Sequence, residues 1–165
     1  MFKLAFIQDS PFMDKEQLII LPATQEERIW AARLLSESEP WITLGVGFEK
    51  TLQNCSDEEL LLYIAHCGEM PCGLIIIDPR GVAGSPYIKS IAVTESFRNK
   101  GIGAILIDFA ENSFRSTSRY IFLCVSSFNT RARSFYKKLG YAEIGELKDY
   151  IINGASEMLM SKRLS

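Results

Sequence analysis

The chain has 165 residues, 47% of them hydrophobic and 23% charged, with a formal net charge of -2. That length builds one domain with a substantial core, and a near-neutral balance without a long basic run excludes nucleic acid as the main partner. The longest apolar runs, "LLLYIAH" and "GLIII", fall well short of the roughly 18 residues that cross a bilayer, so no membrane-spanning helix is expected.

The opening "MFKLAFI" is too brief in its apolar part for a secretory leader. It reads as an N-terminal extension, residues 1–15, ahead of a single domain over 16–165, and its apolar character offers a contact for a homodimer. "EQLIILPA" predicts a first strand. Thr24 and Glu27 in "TQEE" have capping-box spacing and open a helix running to about Ser38. Pro40 stops that helix, and a shorter one covers "FEKTLQNC".

Leu60 to Cys67 and Cys72 to Asp78 are apolar runs around the turn residues Gly68 to Pro71, the signature of a hairpin. Cys67 and Cys72 flank that turn closely enough to bridge, but two strand cysteines acting as small hydrophobes is the simpler reading. With Cys55 and Cys124 they form no CxxC pattern, which predicts reduced thiols and a cytoplasmic location.

A further strand runs from Tyr87 to Val93. Strict alternation puts Ile88 on one face and Ile91 and Val93 on the other, and a one-residue bulge near Ser90 would reconcile them. After "RNKGIG", the apolar positions Ile102, Ile105, Leu106, Phe109, Ala110 and Phe114 recur with helical period. "RYIFLCV" is a continuous apolar strand, central in the sheet. "NTRARSFYKKLG" is a helix with Asn129 as N-cap and Gly140 just past its end. Two last strands, "YAEIGEL" and "SEMLMSKRL", are joined through a turn at Asn153-Gly154.

A strand that ends in a glycine-bearing turn and enters a helix aims backbone N–H groups and the positive end of the helix dipole at one spot, which suits a phosphate. The spacing excludes a Walker A loop, and Leu106 stands where a dinucleotide turn needs its third glycine. What remains, Arg98-x-x-Gly101-x-Gly103-Ala104, resembles the pyrophosphate loop of the GNAT superfamily of acetyl-CoA-dependent N-acetyltransferases. "IAVTESFRNKGIGAILIDFAE" is similar to that family's first core motif and "NTRARSFYKKLGYAEIGE" to its second. The order of strands and helices from about Glu16 to Leu164 also matches.

The resemblance implies an α/β (α+β) fold. A mixed, mostly antiparallel sheet of about six or seven strands would carry a bulged strand before the coenzyme loop, with about four flanking helices. It implies acetyl-CoA as cosubstrate, contacted by Ile91, Ala92, Val93, Arg98, Asn99, Lys100, Gly101, Ile102, Gly103, Ala104, Asn129, Ala132 and Tyr136. Direct attack of a neutral amine on the thioester is expected, with main-chain N–H groups around Ser90 to Val93 stabilising the oxyanion. Tyr136 would face the departing thiolate as the catalytic residue.

The sequence departs from the family at one point: many members have a carboxylate on the strand before the glycine turn, and "YIKSIAV" offers Lys89 instead. His66, Glu39, Glu49, Tyr87 and Asp149 are the candidate bases, directly or through water, although the alternation of His66 with Leu62 and Ile64 favours a packed core histidine. A lysine-like amine of pKa about 10.4 loses roughly 4.6 kcal/mol on deprotonation at pH 7, against about 1.1 kcal/mol for an α-amine near 7.8, so a missing strand carboxylate leans towards α-amines.

The acceptor, a primary amine of a small molecule, peptide or protein, would meet Glu39, Trp41, Tyr87 and Asp149. Two alternatives stay open: an acyl-CoA-binding sensor without turnover, and a longer acyl donor. One histidine and scattered cysteines give no ligand set, so no metal is expected.

Overall fold

The computed structural model describes residues 4–5 and 18–164. Most of the predicted extension lies outside them. Leu4–Ala5 form a two-residue strand, β1, set antiparallel on the next strand. The elements that follow are β2 (Leu18–Pro22), α1 (Gln25–Ser36), α2 (Phe48–Ser56), β3 (Leu61–Cys67), β4 (Met70–Val82), β5 (Ser85–Val93), a 3-10 turn (Glu95–Phe97), α3 (Ile102–Phe114), β6 (Tyr120–Ser126), α4 (Thr130–Lys138), β7 (Ala142–Leu147) and β8 (Glu157–Arg163).

The strands form one sheet in the order β1-β2-β3-β4-β5-β6-β8-β7. Seven full strands and four helices match the expected class. Every neighbouring pair is antiparallel except β5 and β6, which α3 connects and which run parallel.

Local chemistry explains the boundaries. Thr24 Oγ1 accepts from the Glu27 amide at 3.3 Å, and Glu27 Oε2 accepts from the Thr24 amide at 2.7 Å, closing the capping box that starts α1. The helix stops at Ser36, before Pro40, and Ser38 Oγ donates to Leu34 O at 2.6 Å where the chain turns away. β4 runs longer than expected because Ala83 and Gly84, both at positive φ, close a tight turn onto β5.

Two apolar layers flank the sheet. On one face Ile75, Ile77, Ile88, Ile121, Leu123 and Met160 pack under α3 and α4. On the other, Leu62, Ile64, Leu74 and Ile76 pack under Ala31, Ala32 and Leu35 of α1 and Cys55 of α2. Thr51 Oγ1 donates to Ala32 O at 2.9 Å and joins those two helices. Cys55, Cys67 and Cys72 are buried and Cys124 is half-buried. Cys72 Sγ donates to Ala65 O at 3.2 Å, the behaviour of a buried strand residue.

Two irregularities open the sheet. Ile76 pairs with Ser90 but Ile77 pairs with Ile88, so Lys89 is an extra residue on β5. This bulge lets Ile88 and Ile91 face the same core, as the apolar pattern required. β5 pairs with β6 at Tyr87 with Phe122 and Ile88 with Leu123. Beyond that point β5 stays with β4 as far as Val93 with Gly73, and β6 stays with β8 as far as Ser126 with Glu157. The two central strands therefore diverge into a V.

Candidate active site

A cleft of about 660 Å³ fills the V. One wall is the end of β5 with the turn into α3. Gly101 is the N-cap of α3 at φ 84°, a left-handed conformation that glycine adopts without steric cost, and no side chain caps the helix. Its first intrahelical bond runs from the Ile105 amide to Gly101 O at 3.1 Å. The amides of Ile102, Gly103 and Ala104 are therefore the orphan donors of the first turn, with no acidic side chain beside them.

Packing holds this helix end in place. Ile102 is fully buried, and a Cβ on Gly73 would lie 3.2 Å from Ala92 O, 3.2 Å from Leu106 Cδ1 and 3.3 Å from Ile102 Cγ2. A side chain at 73 would press on all three, so glycine suits the close approach of α3 to the sheet. Arg98 Nε donates to Val93 O at 3.1 Å and folds the loop back on the strand.

The opposite wall is the end of β6 with α4. Asn129 Oδ1 accepts from the Ala132 amide at 3.1 Å as the N-cap. Tyr136 lines the cleft from a buried position, with its ring 5.2 Å from Phe135 and 5.8 Å from Tyr141. Burial pushes its phenol well above the ordinary tyrosine range, so the hydroxyl keeps its proton near neutrality.

The open end is lined by Glu37, Glu39, Trp41, Ile42, Tyr150 and Ile151. Tyr87 on β5 and Cys124 on β6 sit against each other at the base of the V, and burial raises both their pKa values. Glu157, at the start of β8, is 5% exposed and accepts a hydrogen bond from Ser126 Oγ at 2.5 Å through Oε1. Burial pushes its carboxyl above the usual range against the opposing pull of that hydrogen bond. Charge is thus divided along the cleft. Arg98 and Arg131 stand by the helix termini, and three glutamates stand at the other end.

Of the residues expected at the site, Ile91 to Val93, Arg98, Asn99, Gly101 to Ala104, Asn129, Ala132 and Tyr136 all border the cleft, as do Glu39, Trp41 and Tyr87. Four others lie apart from it. Lys100 places its ammonium 4.8 Å from the Phe97 ring centroid. Glu49 is exposed on α2. Asp149 Oδ1 accepts from the Gly154 amide at 2.6 Å and braces the loop between β7 and β8. His66 bonds Glu27 at 2.6 Å, joining β3 to α1. The sequence reading missed Cys124, Ser126 and Glu157. They converge only through the pairing of β6 with β8, and no spacing along the chain signals that pairing.

No thiol is poised as a nucleophile at the base of the V, where burial raises Cys124. Burial likewise pushes Cys55 up to about 11 and Cys72 up to about 12. No helix among the described residues is long and apolar enough to cross a membrane.

Residues 24–141 match the model of the acetyltransferase (GNAT) family. An uncharacterised N-acetyltransferase of Methanocaldococcus jannaschii is 35% identical over 123 residues, 73% of this chain and 74% of that protein. An N-alpha-acetyltransferase of Sulfurisphaera tokodaii is 32% identical over 80 residues, 47% of this chain and 48% of its own length. The match thus spans about half of that relative. Among solved structures, an aminoglycoside 6'-N-acetyltransferase complexed with coenzyme A superposes with a TM-score of 0.73 at 18% identity, covering 89% of this chain and 97% of that one. The ribosomal-protein-S18-alanine N-acetyltransferase of Escherichia coli gives 0.71 at 16% identity, covering 90% and 94%. At such identities the likeness is one of fold.

Proposed function

The chain belongs to the GNAT acetyltransferase family, and from that premise we propose that it transfers the acetyl group of acetyl-CoA directly to the α-amine of a peptide or protein. The observation that carries the coenzyme half is the bare first turn of α3. Three uncapped amides, a helix dipole and two nearby arginines fit a diphosphate. Bound there, the coenzyme supplies an activated acyl thioester.

The remaining residues then have distinct tasks. Every second residue of β5 beyond the bulge turns its N–H towards the gap that β6 has left, so amides between Ser90 and Val93 reach an oxyanion formed there. The Tyr136 hydroxyl, kept protonated by burial, donates to the leaving sulfur.

The acceptor end supports an amine with an apolar neighbour. Trp41, Ile42, Leu44, Tyr150 and Ile151 line it together with Glu37, Glu39 and Glu157, a mixture suited to a cationic terminus followed by an apolar side chain. The relative named an N-alpha-acetyltransferase supports the same acceptor class.

Incubation with acetyl-CoA and a panel of peptide α-amines, a lysine side-chain amine, a polyamine and an aminoglycoside tests the reading by thiol release and product mass. Turnover is expected on the peptides. Tight coenzyme binding without thiol release on any amine would instead identify a sensor.

A further inference from the structure

We propose that Glu157 is the base of the reaction, its carboxylate taking a proton from the acceptor's ammonium group at the open end of the V. The inference rests on the reading of the cleft as an acetyl-transfer site.

Three carboxylates line the cleft. Glu37 and Glu39 are exposed, and Glu39 Oε2 already accepts from the Thr43 amide at 3.3 Å. Glu157 differs from both. It is buried at the point where β6 and β8 end together, and it stands next to the strand whose departure from β5 creates the gap. Phe122, Cys124 and Ser126 alternate with Ile121, Leu123 and Val125, which point into the α3 and α4 layer. Ser126 and its partner Glu157 therefore face the side of the sheet where the loop after α1 closes over the cleft.

The hydrogen bonding of Glu157 suits this task. Ser126 Oγ engages Oε1, and among the described residues Oε2 takes no hydrogen bond and the carboxylate has no cationic partner. A buried carboxylate without a cation is costly to the fold. The missing cation is supplied by an ammonium entering the cleft. The other titratable groups that face it are Tyr87 from β5 and Cys124 from β6, and Tyr150, from the loop before β8, lines the same cleft. Tyr87 and Cys124 stay neutral because burial raises both, and Lys89 lines the same cleft from the bulge. A carboxyl made more basic by burial is also better matched to accepting a proton near neutral pH.

The step balances. Glu157 takes one proton from R-NH3+, and the freed lone pair forms the C–N bond as the C–S bond breaks. Tyr136 passes its proton to the departing sulfur and regains one from solvent, into which nitrogen sheds its second proton and Glu157 its own, so one proton is released per turnover. Ser126 acts as a positioning residue by holding the carboxylate.

The test uses Glu157→Gln and Ser126→Ala in the full chain, with a cationic peptide α-amine and with an amine that is already neutral at the assay pH. For the cationic amine, Glu157→Gln is expected to lower kcat/KM about 10²- to 10³-fold. For the neutral amine the loss shrinks to roughly threefold or less, because no base is needed. In the wild type, kcat/KM climbs as pH rises through the raised carboxyl pKa and then levels. In Glu157→Gln that limb disappears, and the rate follows the fraction of free amine. Ser126→Ala shifts the limb without abolishing it.

The Tm of Glu157→Gln and its affinity for acetyl-CoA hold at or above the wild-type values, since a buried charge is removed. Equal losses on both amines, or an unchanged rate on the cationic one, overturn the inference while leaving acetyl transfer intact. A wild-type protein that binds coenzyme but releases no thiol with any amine overturns the acetyl-transfer reading itself, and this inference with it.

Discussion

Arg131 donates a hydrogen bond from Nη2 to Asn99 Oδ1 at 2.6 Å, tying the first turn of α4 to the loop that precedes α3. Asn99 sits at φ 63°, a left-handed conformation that asparagine tolerates better than most side chains. Both residues are exposed and both border the cleft, so their pairing shapes the coenzyme end while contributing little to the core. Arg131→Ala is expected to raise the Kd for acetyl-CoA about three- to tenfold while moving Tm by no more than about 2 °C. Titration calorimetry at two salt concentrations checks it, and the deficit should narrow at high salt.

Gly103 separates folding from binding. A Cβ there meets only the Phe135 ring, 3.4 Å from Cζ and 4.0 Å from Cε2, which is ordinary contact. Gly103→Ala therefore fits the protein and favours the helix by about 0.5–1 kcal/mol, so Tm holds or rises. Its methyl group crowds the amides of the first turn, and the Kd for acetyl-CoA is expected to rise about tenfold or more. At Gly101 nothing crowds a Cβ, but alanine at φ 84° costs about 1–2 kcal/mol in stability. Melting curves and calorimetry on the pair resolve the two effects. Unchanged affinity in Gly103→Ala would remove the α3 amides from coenzyme binding.

Tyr136→Phe keeps the ring stack with Phe135 and Tyr141 and removes a hydroxyl that no described residue hydrogen-bonds. Stability should be unchanged. The expected loss is in kcat, about 10- to 100-fold, with little change in KM for acetyl-CoA, as measured by initial rates. An undiminished kcat would take Tyr136 out of the reaction.

Glu111 and Lys162 form a pair at 2.6 Å away from the cleft, linking α3 to β8 under Tyr141. The Glu111 side chain is almost wholly buried. Lys162→Met leaves that carboxylate unpaired and should cost about 3 kcal/mol. Its Tm would then fall by roughly 6–12 °C. The double variant Glu111→Leu, Lys162→Met should recover most of that loss, because apolar groups of similar volume replace the pair without a stranded charge. Turnover per folded molecule stays the same in both variants. Thermal melts and kcat on peptide amines provide the measurements.

Patterns local in the chain were read directly. The capping box at Thr24 and Glu27 and the N-cap at Asn129 are set by residues three apart. The apolar period of α3 is likewise a near-neighbour property. The bulge on β5 was also legible, because Ile88, Ile91 and Val93 cannot share a core face at a strict period of two, and the structure gives the extra residue as Lys89. The glycine turn predicts a phosphate ligand from backbone chemistry alone.

Other features depend on contacts between residues far apart in sequence. Asp149 looked available to a substrate until the loop folded and placed its carboxylate on the Gly154 amide. Glu157 carries no signal of its own along the chain; the pairing of β8 with β6 puts it beside Ser126 and removes it from water. The amino-acid order thus determined which backbone amides are left bare at the start of α3, since helix starts are governed by near neighbours. The tertiary structure decided which carboxylate is buried beside the cleft, since burial and basicity arise only when strands distant in the chain close on one another.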